Sequence, residues 1–219
     1  AYAVLTGKKG KTATTGGIGI SNPKSKKQAV LNYVRANFFI PDARKGWNSY
    51  ALKEARKLIA DHDIKAIIST GPPHSTHLAA AQLIKEFDLP WLADFRDPWV
   101  NIFYNQFFPR TKRTQVKDQE LEDLVLKSAD HVLTVSPGLA SEFADRTKKI
   151  SVLFNGYDPK DIPEKSGLKS SSHFHLSYTG NFKPNQNVET LWEVISELAA
   201  EVKGFKDNFR LQFVGNIDP

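Results

Sequence analysis

The strongest constraint on this chain is a pair of short apolar runs, each ending abruptly in polar, ionisable and proline residues. The first reads Ile67-Ile68-Ser69-Thr70-Gly71-Pro72-Pro73-His74-Ser75-Thr76-His77-Leu78, the second Trp91-Leu92-Ala93-Asp94-Phe95-Arg96-Asp97-Pro98-Trp99. Runs bounded in this way read as buried strands, and ligands of open α/β sheets bind beyond such strand ends. From residue 49 the pattern alternates around them. Ala51, Leu52, Ala55, Leu58 and Ile59 follow helical spacing, Lys65 to Ser69 is a short β-rich run, and Leu78 to Phe87 is helical again. His131 to Val135 and Ile150 to Phe154 read as further strands, and Ser136 with Pro137 offers a cap and first turn to the helix between them. This alternation predicts a parallel sheet with helices on its faces.

Domain organisation follows from where the pattern breaks. Residues 1–48 form a basic, partly irregular arm, 49–157 a Rossmann-like domain, and 158–172 a linker of Pro, Lys, Gly and Ser without apolar periodicity. A second βαβ unit starts at 173: Phe174 to Thr179 as strand, Val188 to Val202 as one helical stripe, Phe209 to Val214 as strand. About 45 residues cannot bury much core alone, so this unit either leans on the first domain or belongs to a longer chain.

Composition narrows the function classes. The chain has 40% apolar and 25% charged residues, ordinary for a soluble or peripheral protein, and no apolar run reaches the roughly 20 residues of a membrane span. Cysteine is absent, which excludes disulfides, thiolate nucleophiles and cysteine metal sites and is compatible with the cytoplasm. Methionine is absent too, even at position 1, as in a processed chain, a fragment or a sequence that has lost its methionines. Net charge is +6, yet residues 1–46 hold nine Lys and Arg against Asp42 alone, while the remainder sums to −2. Such an arm, interleaved with Val30, Leu31, Tyr33, Val34, Phe38 and Phe39, suits peripheral contact with an anionic membrane at least as well as nucleic acid. A solvated, partly disordered arm is the plainer alternative.

The blocks STGPPHS and ADFRDPW, with Asn37 to Arg44 upstream and Ala129 to Ser136, Asn155 to Asp158 and Tyr178 to Asn181 downstream, resemble retaining family 4 glycosyltransferases, notably bacterial cell-surface polysaccharide enzymes. The resemblance covers most of the chain from Asn37 onward. It implies a GT-B fold of two Rossmann-like domains, the first acceptor-side and the second donor-side. The implied activity is hexosyl transfer from a nucleotide sugar to a lipid-linked or polysaccharide acceptor, with retention and no metal cofactor, in the cytoplasm or peripherally at the inner membrane face. The family's opening strand with glycine-rich loop and its closing pair of glutamates are not found, so the sequence reads as a central piece of a longer enzyme. Gly16-Gly17-Ile18-Gly19 follows no recognisable strand and is a weak phosphate-loop candidate.

Candidate residues sit at the strand ends. Gly71-Pro72-Pro73 separates strand from helix, and Ser75 or His74 can cap that helix, leaving backbone N–H groups for a phosphate or sugar hydroxyl. His74 and His77, three residues apart, share a helical face; either they contact donor or acceptor, His74 foremost, or they pack and cap. No third ligand of suitable spacing supports a metal. Asp94, Arg96 and Asp97 are either an ion-paired cluster covered by Trp99 or an acceptor site in which Asp97 meets the reacting hydroxyl and Arg96 orients it. By resemblance, Gly180, Asn181 and Lys183 hold donor phosphate, though Asn181 and Gln186-Asn187 stand where many relatives carry cations. Asn155 with Gly156 either turns the chain or touches ligand. A non-catalytic nucleotide or sugar-phosphate binding domain is the alternative function; nucleic-acid binding rests on the arm alone.

Overall fold

The computed structural model describes residues 25–162, 171–182 and 186–217. The chain divides into two compact units, Ala1–Gly156 and Tyr157–Pro219. In the first, helix α1 (Lys26–Phe38) and a 3-10 turn (Lys45–Trp47) lead into α2 (Asn48–Asp61), β1 (Ile67–Gly71), α3 (Ser75–Phe87), β2 (Trp91–Phe95), a second 3-10 turn (Phe103–Phe107), α4 (Lys112–Ser128), β3 (His131–Thr134), α5 (Pro137–Phe143) and β4 (Ile150–Val152). The four strands form one parallel sheet in the order β1-β2-β3-β4. Every strand of the alternating pattern is therefore present, with ends within two residues of expectation. The Ser136 hydroxyl accepts from Leu139 N and Pro137 occupies the first turn of α5, as its sequence signals require.

Burial follows the two-residue period of the strands. Ser69, Gly71, Ala93, Phe95, Val132 and Thr134 are buried on one face, whereas Ile68, Thr70, Leu92, Asp94, His131 and Leu133 on the other are half-buried or exposed. The sheet was expected to be covered on both faces; among the described residues its core lies on one. There Ala80, Ala81, Trp91, Phe95, Trp99, Val125, Leu126 and Phe143 pack together.

The described half of the stretch read as a basic, partly irregular arm contains helix α1 and the first 3-10 turn. Ser25 caps α1 by accepting from Gln28 N at 3.2 Å. Asn37 fastens the helix to the domain: its amide donates to Pro109 O (2.9 Å), and its carbonyl accepts from Thr111 N (2.8 Å) and the Thr114 hydroxyl (2.7 Å). Val30 and Phe38 stay more than half exposed.

Helix α4 carries two acids into the core, Asp118 and Glu122, four residues apart on its buried face with Thr114, Val125 and Leu126. Glu122 accepts from Val100 N at 2.9 Å and pairs with Arg146 at 2.7 Å; Asp118 accepts from Trp99 Nε1 at 2.8 Å and pairs with Arg110. A buried carboxylate is tolerated only when so satisfied.

The second unit pairs β5 (Phe174–Thr179) in parallel with β6 (Phe209–Val214), joined by α6 (Glu189–Glu201) and the short α7 (Phe205–Asn208). Both strands begin and end where the sequence places them. None of its described residues is buried, in keeping with the small core expected of one βαβ unit. Each strand runs into a Gly-Asn pair, and Gly180 and Gly215 both adopt φ 134°. A Cβ on Gly215 would lie 2.0 Å from Gly180 O, so only glycine allows this approach.

Removing Glu122 leaves Val100 N without its acceptor and Arg146 paired with Asp123 and Asp145 alone. Glu122→Ala is expected to cost about 1–3 kcal/mol and Glu122→Gln clearly less, read as shifts in urea-unfolding midpoint.

Candidate functional site

The strand register aligns Gly71, Phe95, Thr134 and Val152, so the loops leaving β1, β2, β3 and β4 emerge along one carboxyl edge. Three of these loops carry most of the candidate residues, but the structure gathers them into two groups. His74, His77 and Gly71 lie with the core face. Arg96 lies at the exposed edge with Asp94, 3.9 Å away, and with Asn155, whose side-chain oxygen accepts from the Arg96 guanidinium. Asp97 is exposed just beyond the end of β2. Gly180 and Asn181 belong to the second unit; Lys183 lies outside the described residues, as does the Gly16–Gly19 segment.

The two histidines are core residues. His74 is 8% exposed and His77 fully buried. The His74 ring stacks on Trp99 with centroids 4.9 Å apart and planes 8° off parallel; His77 stacks on Phe95 at 4.5 Å. Burial lowers the His74 pKa to about 4, against smaller upward pulls from Asp42 and then the Pro98 backbone. Burial, helped by the neighbouring His74, lowers His77 to about 3. Both rings are therefore neutral at physiological pH.

Neither His74 nor Ser75 caps α3 with its side chain. Asp42 does so from 33 residues upstream: its carboxylate accepts from Ser75 N at 2.8 Å and from the Ser75 hydroxyl at 2.9 Å, while receiving Arg44 N at 2.8 Å. The helix end expected to receive a phosphate thus already holds a carboxylate at its first N–H, matched to the dipole. Trp99 does not cover the Asp94–Arg96 pair either. Its indole turns inward to Asp118 and His74.

A pocket of about 170 Å³ opens beside this stack, with Phe39, Asp42, Pro72, His74, Trp99 and Tyr104 among its lining residues. The Tyr104 hydroxyl has a raised pKa from burial, then from the charges of Asp97 and Asp42, so Asp97 acts electrostatically on the pocket's rim. The sequence reading missed Asp42, Trp99 as a stacking floor, and the acids Asp118 and Glu122 that fix the loop. The last pair had a signal: two charges at helical spacing on the stripe of Thr114, Val125 and Leu126.

Within the second unit, the Tyr178 hydroxyl donates to Asn181 O and Gln186 Oε1, each at 3.2 Å, and the Trp192 indole donates to Asn187 Oδ1 at 2.6 Å. Gln186 and Asn187 are therefore held by aromatic neighbours, whereas the Asn181 side chain accepts from Asn216 Nδ2 at 3.1 Å. Among the described residues no cluster of three His, Asp or Glu is arranged to hold a metal, and no helix is long and apolar enough to cross a membrane.

With this geometry, the sequence profile described as Glycosyltransferase Family 4 matches residues 19–161. The chain belongs to that family. The match spans α1, the parallel sheet and the whole carboxyl edge, and the α/β architecture is the Rossmann-like one of GT-B glycosyltransferases. Glycosyl transfer, with a sugar donor and an acceptor, is the activity class that family membership carries. No curated protein matches the chain.

The depressed histidine pKa values link stability to pH. Between about pH 6.5 and 4 the unfolded chain binds protons that the folded histidines refuse, so stability falls as pH falls through that window and is level above it. At pH 5 the loss is expected to be about 2 kcal/mol per histidine, and His77→Leu removes its share of the slope, measured by urea unfolding across pH 4.5–8.

Proposed function

We propose that the protein transfers a hexosyl group from a nucleotide sugar to a lipid-linked or polysaccharide acceptor with retention of anomeric configuration, as part of bacterial cell-envelope polysaccharide synthesis. The observation that carries this reading is the single carboxyl edge at which Gly71 ends β1 and His74 follows it, Arg96 and Asp97 follow β2, and Asn155 follows β4. Asp97, exposed and acting on Tyr104 at the pocket, meets the acceptor hydroxyl. Arg96, held between Asp94 and Asn155, presents a fixed cation to an anionic substrate group. Gly180, Asn181 and Lys183 serve donor phosphate, with backbone N–H groups supplementing the one cation.

Retention needs no protein nucleophile in this scheme. The departing phosphate takes the proton of the incoming hydroxyl on the same face, and the protein supplies positioning and charge stabilisation. Metal is not required. The basic first helix, with Phe38 two-thirds exposed, gives the protein a face for anionic lipid at the cytoplasmic side of the membrane, where a lipid-linked acceptor resides.

Calorimetric titration with UDP-, GDP- and ADP-sugars tests the proposal, alongside Asp97→Asn and Lys183→Ala. One donor is expected to bind selectively, about tenfold more weakly in Lys183→Ala and nearly unchanged in Asp97→Asn, which instead abolishes transfer. Failure of every donor to bind the folded, longest chain would overturn it.

A further inference from the structure

The pocket beside His74 is lined by polar atoms that the fold itself does not use. Tyr104, Asn105 and Arg110 all line it. Among the described residues, no protein partner engages the Tyr104 hydroxyl, Asn105 Oδ1, or Nε and Nη1 of Arg110. None of these atoms is a buried orphan either, a condition confined among the described residues to His74 Nδ1 and His77 Nε2. Each is therefore open to water in the free protein and available to a ligand.

The loop after β2 sets what each atom offers. The Asn105 side-chain amide donates to Trp99 O at 3.1 Å and to Val100 O at 2.8 Å. Carbonyl oxygens only accept, so the NH2 group must face them and Oδ1 must turn away as an acceptor. Trp99 and Val100 are also the residues that Asp118 and Glu122 hold, so this amide sits on a fixed frame. Asp118 takes Nη2 of Arg110, which leaves the other guanidinium N–H groups as donors. The Arg110 side chain is 8% exposed and that of Asp118 2%, so the pair is built into the wall. An acceptor, a donor and a hydroxyl able to do either thus stand among the apolar side chains of Phe39, Pro72 and Phe108.

We propose that Tyr104, Asn105 and Arg110 form a subsite that binds one uncharged sugar ring of the acceptor and discriminates against a uronate or a sugar phosphate. At about 170 Å³ the pocket is smaller than the roughly 300–1,000 Å³ of a drug-sized site, which suits a single ring and not a nucleoside diphosphate. Its lining sets two guanidinium groups, Arg35 and Arg110, against two acids, Asp42 and Asp118, so it carries no excess of cations for an anion. An anionic group would also meet Asn105 Oδ1 with no hydrogen to give it. A sugar hydroxyl meets both demands, donating to Asn105 and accepting from Arg110, while the carbon face of the ring lies on apolar wall. This sugar is called the acceptor only through the function proposed above; the preference for a neutral polyol follows from the pocket.

Ligand-observed NMR titration of the full chain at neutral pH tests the subsite. The probes are the methyl glycosides of glucose, galactose and mannose, with methyl glucuronide, methyl galacturonide and mannose 6-phosphate as their anionic counterparts. At least one neutral glycoside is expected to bind, and its anionic counterpart about tenfold more weakly or not at all. Tyr104→Phe removes an oxygen that has no protein partner, so its urea-unfolding midpoint should stay at the wild-type value while glycoside binding weakens about tenfold. Arg110→Lys keeps a cation beside Asp118 but loses the guanidinium fork, and should weaken binding by a similar factor. Tighter binding of an anionic counterpart, no binding of any neutral glycoside, or wild-type affinity in Tyr104→Phe would each overturn the proposal. Titration of the same sample with nucleotide sugars separates it from the function on which it rests. Glycoside binding through Tyr104 without donor binding would keep the subsite and overturn the transfer reading, whereas donor binding without glycoside binding would overturn the subsite alone.

Discussion

The site depends on two carboxylates from one helix. Asp118 and Glu122, a turn apart on α4, take hold of consecutive residues in the loop that leaves β2: the first binds the Trp99 indole, the second the Val100 backbone N–H. Their charges are matched by Arg110 and Arg146, reaching in from outside the helix. Burying such pairs contributes little net stability compared with apolar packing, but each pair has one geometry in which it is satisfied. That geometry fixes where Trp99 lies, and the stacked Trp99 ring fixes the plane of His74. Asp97 and Arg96 hang from the near end of the same loop. A change at Glu122 is thus felt first in the fold and then, through Trp99, at the pocket.

The same logic explains why the N-terminus of α3 is not simply an open anion site. Asp42, carried in on the segment after α1, sits on Ser75 with both carboxylate oxygens engaged. The carboxylate stabilises the helix end and ties the segment 39–48 to the domain, walling the pocket beside His74. It also supplies the one upward electrostatic pull on a histidine that burial otherwise holds neutral. The family profile begins ahead of α1, so this wall is part of the matched domain.

What could be read from sequence was local. Strands β5 and β6 fall on Phe174–Thr179 and Phe209–Val214 because a short apolar run between turn formers leaves the backbone few choices, and Ser136-Pro137 starts α5 because cap chemistry acts over three residues. The polar strand ends were visible for the same reason. Asp42 was not, because its partner lies 33 residues away and an acid in a basic segment looks like ordinary surface. Asp118 and Glu122 were visible only as exceptions: acids on a stripe that should be apolar. Helix α1 was hidden by its charge, since basic residues suggest solvent whether or not an asparagine such as Asn37 pins the helix at its far end.

The site's polarity also separates what its residues can do. On the inner side of the edge, His74 and His77 are neutral, buried and stacked, and a ring in that state offers fixed hydrogen-bond direction. Toward solvent, Arg96 and Asp97 are exposed to whatever anion or hydroxyl arrives. Such a division suits the transfer proposed above, in which the substrate's own phosphate moves the proton and the protein supplies a rigid frame on one side and a charged rim on the other. A design built on a protein base would place the titrating group within the frame instead. Here burial lowers both histidines far below the pH at which a base would be poised, so the frame cannot double as the base.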